Sequence, residues 1–276
     1  VVSKRYGGHF MNSFVTFLKE RGLSENTIRS YVYSVDQLVE LFEGTTPSSL
    51  ESYKSYLIDT FSAKTVNMRI NGVNAYLEFL GQSDARLKSV RIQQKPFLEN
   101  VISNDEYKKF VSYLHSLDDS RWYFSVKLMA CTGARISELL RFDVDDIQVG
   151  YKDIISKGDK LRRIYIPASL QAECVLWFEQ MQTNGGALFL NYVGERITSR
   201  GVSSKLKELA KECGIKPEVV YPHSFRHLFA KNFLTRCSDI AFLADLMGHE
   251  SIETTRIYLR RTSSEQRKAV DEIVTW

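Results

Sequence analysis

Apolar residues return every three or four positions along most of this chain, and in one short region the spacing drops to two. Phe14, Phe17 and Leu18, then Ile28, Tyr31, Val35, Leu38 and Leu41, and later Val66, Ile70, Val73, Leu77 and Leu80, recur at helical spacing. This predicts a bundle of four helices over roughly residues 10–80. Ser24 caps one that ends near Gly44, another covers 50–60, and the last starts after Ser62 and stops before Gly81. Further on, Ser103 opens a helix carrying Tyr107, Phe110, Val111 and Leu114. Residues 122–131 are apolar nearly all round, as in a buried helix. Thr132-Gly133 breaks that helix and a short one over 135–141 follows. The β-like runs 153–156 and 162–166 flank Lys157-Gly158-Asp159-Lys160, the pattern of a hairpin. Helical spacing then returns over 169–182, 202–213 and 223–236. The expected fold class is mainly α, with a small antiparallel β-sheet in the second half.

Between the halves lies RLKSVRIQQKPFL, basic, without a clean period and containing Pro96. It suits an extended linker able to track a phosphate backbone. The expected division is a helical domain over 1–85, a basic linker over 86–101 and a second domain over 102–276, arranged as a clamp hinged at the linker. A hydrophobic fraction of 43% and a charged fraction of 25% belong to a globular chain. No apolar run approaches the ~20 residues a bilayer span needs. The first ten residues lack the apolar core of a secretory signal. Cys131, Cys174, Cys213 and Cys237 show no CxxC spacing, so reduced thiols, a cytoplasmic location and no zinc site are expected. The net charge of +4 permits nucleic-acid binding without requiring it.

The chemistry concentrates near the C-terminus. His223 and Arg226 stand three apart after Pro222 and so face the same way on one helix; His249 follows Gly248, and Tyr258 follows soon after. Upstream, Arg135 precedes Glu138 by three, and Lys157 sits in the hairpin turn. Breaking a phosphodiester without a metal takes cations on the non-bridging oxygens, an in-line nucleophile, an acceptor for its proton and a donor for the leaving oxygen. These residues offer one candidate for each. A buried arginine needs an acidic or carbonyl partner, which makes Glu138 an orienting group more than a reacting one. Singly, each has a commoner structural role: a surface ion pair, a solvated turn lysine, a loop histidine, a core aromatic. Their joint order and spacing is what raises them.

The strings ACTGARISELL (130–140), ISKGDK (155–160), PHSFRH (222–227) and LMGHESIETTRIY (246–258) closely resemble the tyrosine recombinases, the family of phage integrases, Xer-type resolvases and transposon integrases. SENTIRSY and SAKTVNMR are similar to the helical, SAM-like core-binding domain of that family. The resemblance implies a site-specific DNA recombinase, of the integrase or excisionase type or Xer-like, that needs no metal, cofactor or ATP. Arg135 and Arg226 would bind the scissile phosphate, with His223 and His249 hydrogen-bonding it and assisting proton transfer. Lys157 would be the general acid, with Lys160 the alternative, and Tyr258 would form a 3′-phosphotyrosyl link. A phenol is mostly neutral at pH 7 and needs cationic neighbours or a base; which residue takes its proton stays open at this point.

By the same resemblance, Ser199, Arg200, Ser203, Ser204 and Lys207 would meet the major groove. In the first domain, Arg29 on one helix and Lys64, Thr65, Asn67 and Arg69 on another lie on polar faces and are candidate DNA contacts if the two helices lie side by side across a groove. Double-stranded DNA with specific recombination sites is the implied partner. The tail with Val270, Ile273, Val274 and Trp276 would dock into a neighbouring protomer of a tetramer on DNA, placing the enzyme in a bacterial cytoplasm or nucleoid, in the service of a mobile element or of an Xer-like task. Arg260 stands where the family often has His, and Phe225 and Leu228 replace the commoner Leu and Thr; neither removes a catalytic group. A type IB topoisomerase is the rival enzyme, set against by His223, and an inactive DNA-binding factor is the rival from another class.

Overall fold

Hydroxyl side chains stand at the start of three helices near the beginning of the chain. In the computed structural model, which describes residues 8–92, 100–155, 161–249, 252–259 and 263–274, α1 covers Gly8–Glu20, α2 Glu25–Phe42, α3 Pro47–Thr60 and α4 Ala63–Phe79. Ser24 and Thr46 accept from the backbone N–H groups of Thr27 and Ser49, donors that a helix start leaves bare. Ser62 and Thr65 pair their hydroxyls at 3.1 Å. α3 starts three residues before the expected position 50, because Pro47 is preset for a first helical position and Thr46 caps it.

The chain divides into two units, Val1–Gln94 and Lys95–Trp276, the break falling inside the segment read as linker; residues 93–99 of that segment lie outside the described residues. In the first unit Leu38, Leu50, Tyr53, Leu57, Ile70, Val73 and Leu77 pack into one cluster, and Phe14, Leu18, Ile28, Val35 and Tyr76 into another. Gly72 lets α4 lie close against α2, since a Cβ there would sit 2.9 Å from Tyr31 Cα. Asn74 donates to Leu87 O at 3.0 Å and accepts from Leu87 N at 2.8 Å. Asn67 does the same with Val90 at 2.9 and 2.8 Å. The two amides therefore fix the start of the basic segment along α4.

That packing corrects part of the sequence reading. Arg69 is not an outward DNA contact: it is 8% exposed, donates to Gln37 Oε1, and its guanidinium lies over the Tyr33 and Phe61 rings. α4 is covered by both α2 and α3, so the side chain at this position is drawn inside, where Gln37 and the two rings engage the guanidinium. Asn67, also read as a DNA contact, has its amide committed to Val90.

The second unit is built on α5 (Asn104–His115), α6 (Ser120–Thr132), α7 (Ile136–Leu139) and α8 (Val144–Val149), followed by strands β1 (Tyr151–Ile155) and β2 (Leu161–Tyr165). Then come α9 (Ala168–Met181), α10 (Ser199–Glu212), α11 (Pro222–Arg236), α12 (Ile240–Met247), α13 (Ile252–Arg256) and α14 (Ser263–Ile273). The strands pair antiparallel in the register Tyr151↔Tyr165 to Ile155↔Leu161. α6 is the central helix: Phe124, Val126, Leu128 and Met129 are buried, and Phe124 stacks on Trp177 of α9 at 4.4 Å. The short helix after Gly133 ends at Leu139 and not at 141, and α8 was not expected. Its start is marked by Asp146, whose carboxylate accepts from Asp143 N at 2.8 Å. No helix among the described residues is long and apolar enough to cross a membrane.

Candidate active site

Two left-handed glycines shape the centre of the second unit. Gly133, at φ +64°, ends α6 and turns the chain into α7; Gly248, at φ +61°, ends α12. Thr132 steadies the first turn, donating to Leu128 O at 2.6 Å and accepting from Ala134 N at 3.2 Å. Arg135 then stands at the start of α7. Its backbone N–H donates to Glu138 Oε2 and its Nη1 to Glu138 Oε1, both at 2.8 Å.

The last turn of α12 gathers three arginines. Arg162 Nε donates to Leu246 O at 2.9 Å, Arg226 Nη2 to Met247 O at 2.6 Å, and Arg135 Nη2 to Gly248 O at 3.2 Å. Three successive carbonyls thus each take a guanidinium from a different element, at the negative end of a helix. Arg226, 1% exposed, also donates to Gly133 O through Nη1. Arg162, on β2 and 6% exposed, reaches both Glu138 oxygens from Nη1 at 2.8 and 2.9 Å.

His249 completes the group. Its backbone N–H closes α12 onto Ala244 O at 3.0 Å, while its ring lies between Arg226 Nη2 at 2.9 Å and Thr255 Oγ1 at 2.8 Å. Arg226 can only donate, so Nε2 is the acceptor and Nδ1 carries the hydrogen offered to Thr255. The Tyr258 ring stacks on His249 with centroids 5.8 Å apart and meets the edge of His227 at 4.6 Å. His227 in turn meets exposed His223 at 4.9 Å.

Burial, then the charges of Arg226, Arg135 and Arg162, lowers the His249 pKa to about 4, so the ring is neutral near pH 7. Burial likewise pulls Arg226 down to about 10, Arg135 adding to the fall and the Tyr258 hydroxyl opposing it. Arg226 remains a cation at neutrality. Burial would push the Glu138 carboxyl up, but the Arg162 charge, followed by the Arg135 backbone and side chain, holds it below the usual carboxylate range. Arg226 Nε and Arg162 Nη2 are buried N–H donors with no acceptor among the described residues. No group of three or more His, Cys, Asp or Glu suited to a metal ion occurs among those residues.

Of the residues picked from sequence, Arg135, Glu138, Arg226, His249 and Tyr258 come together, and His223 joins them through His227. Lys157 and Lys160 lie outside the described residues. On α10, Arg200, Ser204 and Lys207 are exposed along one face, opposite buried Val202, Leu206 and Leu209; Ser199 and Ser203 are half-buried, with Ser203 donating to Ser199 O. This helix starts one turn earlier than read, because Thr198 caps it by accepting from Gly201 N at 3.1 Å. Arg29 and Lys64 are exposed and Thr65 is half-buried, Arg29 donating to Asn26 at 3.2 Å. Sequence reasoning missed Arg162, His227 and Thr255. A signal for Arg162 existed: it stands two residues before Ile164 on a strand whose buried positions alternate.

Residues 100–265 match the sequence profile of the Phage integrase family. The chain is 30% identical over 272 residues to tyrosine recombinase XerA of Pyrococcus furiosus, covering 95% of this chain and 92% of that one. It is 30% identical over 284 residues to tyrosine recombinase XerD of Listeria innocua, covering 91% and 94%. Its fold is similar to that of the XerH site-specific recombinase bound to a palindromic difH substrate in a post-cleavage complex. That match has a TM-score of 0.70 at 20% identity over 93% of this chain and 82% of the other.

Proposed function

The chain belongs to the phage integrase family, the tyrosine recombinases, and from that premise we propose how its own residues cut and rejoin DNA. As a site-specific recombinase it exchanges strands through a covalent tyrosine intermediate. Arg135 and Arg226 hold the non-bridging oxygens of the scissile phosphate, and His223 adds a hydrogen bond. The Tyr258 oxygen attacks phosphorus, the bond to the 5′ oxygen breaks, and the phosphate passes to the tyrosine as a 3′-phosphotyrosyl diester. His249, uncharged near neutrality, takes the phenolic proton on Nε2 once the phosphate draws Arg226 away from that nitrogen, and Lys157 gives one to the departing 5′ oxygen. One phosphoester is exchanged for another, so the 5′-hydroxyl of a second strand reverses the step without ATP.

The observation that carries this reading is the meeting of Arg135, Arg226 and His249 around the last turn of α12, with Tyr258 stacked on the histidine. The buried Arg226 donor without an acceptor among the described residues supports it, because an anionic oxygen suits it. Tyr258 is 4% exposed in the free chain, so cleavage requires the turn after α13 that carries it to shift as DNA enters. Val270 and Ile273 on α14 and Val274 just after it are exposed. We assign that stripe to docking on a neighbouring protomer, in a tetramer closed around paired sites. With DNA as substrate, the enzyme works in the cytoplasm.

The test uses nicked half-site duplexes drawn from the DNA flanking the gene. The wild-type chain is expected to give a denaturation-resistant protein–DNA adduct and Tyr258→Phe none. An adduct from the Phe variant would show that another residue is the nucleophile.

A further inference from the structure

We propose that Arg162 is a positioning residue of this reaction, one that occupies the Glu138 carboxylate so that Arg135 keeps its full positive charge for the phosphate. The inference rests on the recombinase reading above and assigns a task to a residue outside the set of groups that touch DNA in it.

The geometry gives Arg162 three attachments. Its Nη1 spans both oxygens of Glu138 and its Nε holds Leu246 O. Its main chain belongs to β2, which begins four residues after Lys157 in the sequence. Glu138 also accepts twice from Arg135, once from the backbone and once from Nη1. The carboxylate is therefore shared by two guanidiniums, and the three groups together carry one net positive charge. Without Arg162, Glu138 has Arg135 as its remaining cationic partner in this contact, and the net charge offered to a phosphate from this side falls to none. A scissile phosphate gains negative charge on its oxygens in the transition state, so that difference acts on the chemical step more than on binding.

The site is also shaped around this side chain. A Cβ at Gly248 would collide with Arg162 Cδ and lie 3.0 Å from Nε, so the glycine that ends α12 is what lets the guanidinium pass. Leu246 O, held by Arg162, precedes the two carbonyls that hold Arg226 and Arg135. A lysine could supply the charge but not the planar fork that meets a carboxylate and a carbonyl at once.

The experiment separates charge delivery from simple support of the fold. A duplex is first captured covalently by the full-length wild-type chain from a random-sequence pool, then remade with a nick that traps the adduct. Two versions are prepared, one with the normal phosphate at the cleaved linkage and one with a neutral methylphosphonate there. If the wild-type chain captures no duplex, the recombinase reading itself fails, an outcome distinct from those that bear on Arg162. For Arg162→Met at saturating duplex, adduct formation on the phosphate is expected to slow by about 10- to 100-fold. The half-saturating duplex concentration should change by less than about threefold, which marks a loss in the transition state alone. On the methylphosphonate, which has one negative charge fewer to neutralise, the gap to wild type should shrink to less than about threefold. Equal slowing on both linkages would reduce Arg162 to a structural support, and a wild-type rate on the phosphate would remove it from the reaction; either result overturns the proposal. Should Arg162→Met fail to accumulate folded, Arg162→Lys is measured in the same way. It is expected to show a smaller defect with the same narrowing on the neutral linkage, and equal slowing there overturns the proposal too.

Discussion

His227 gives the second unit a weakness to acid whose size follows from its surroundings. The ring is 7% exposed, its Nδ1 is buried without a hydrogen-bond partner among the described residues, and the Tyr258 and His223 rings close two of its sides. Burial first, then the nearby His223 and Arg226, lowers its pKa from 6.5 to about 4. The unfolded chain therefore takes up a proton near pH 6.5, whereas the folded chain resists until about pH 4. Stability is present in full above the higher value and is lost as the pH falls towards the lower one. At 1.36 kcal/mol per unit the full loss is about 3 kcal/mol, of which about 2 kcal/mol falls between about pH 7.5 and about pH 5. His249 adds in the same direction, with a smaller share because solvent reaches its half-buried ring.

Urea unfolding followed by tryptophan fluorescence isolates the effect. Trp122, Trp177 and Trp276 all belong to the second unit, so the signal reports that unit alone. Between the two pH values the wild-type chain should lose about 2 kcal/mol more than His227→Gln, which has no proton to gain at this position. Equal losses in the two proteins would mean that the ring is hydrated or partnered in solution, and the reasoning from burial would be wrong. Inorganic phosphate, a small anion suited to the adjacent arginines, should reduce the loss, because a bound anion makes imidazolium cheaper to form.

Other substitutions follow from the same contacts. Gly248→Ala forces a left-handed residue and drives a methyl into Arg162; adduct formation should fall more than about tenfold, with a loss of about 1–3 kcal/mol in urea unfolding. Gly72→Ala places a methyl against the Tyr31 backbone, which has no rotamer to yield. Hydrogen exchange of α2 and α4 amides should then show about 1–3 kcal/mol less protection. Arg69→Met should leave the salt dependence of DNA binding as it is, since the guanidinium is spent inside the bundle. Lys207→Ala, on the exposed face of α10, should lower the slope of log affinity against log salt by about one.

The elements that the sequence displayed clearly are those with a cap and two or more turns of periodic apolar residues. Ser103 is the plainest: its hydroxyl accepts from Glu106 N at 3.2 Å while Glu106 accepts from Ser103 N at 2.9 Å, and the letters S-x-x-E announce the box. α7 and α8 span too few residues to show a period, so one was read too long and the other was passed over. Arg69 misled for a different reason. Charge in a helical pattern reads as an outer face, yet α4 is enclosed by two helices and its arginine finds an amide and two aromatic rings inside. Outward direction is set by how many neighbours a helix has, which no local window reports.

The arginine site shows what kind of partner a sequence hides. Its positive residues were visible as letters, because guanidinium and imidazole side chains are scarce and their spacing is informative. The groups that hold them are mostly main-chain oxygens, on Gly133, Leu246, Met247 and Gly248, and every residue has one of those. That choice of partner has a chemical consequence. Carboxylates opposite all three arginines would have held them equally well and cancelled the charge they bring to a phosphate. Carbonyl dipoles hold a guanidinium in place while leaving its unit charge intact. Among the described residues a single carboxylate, Glu138, partners these three arginines, and it is shared between two of them. The same α12 terminus that was unreadable as a binding element is therefore what allows three like charges to be packed together and still act outward.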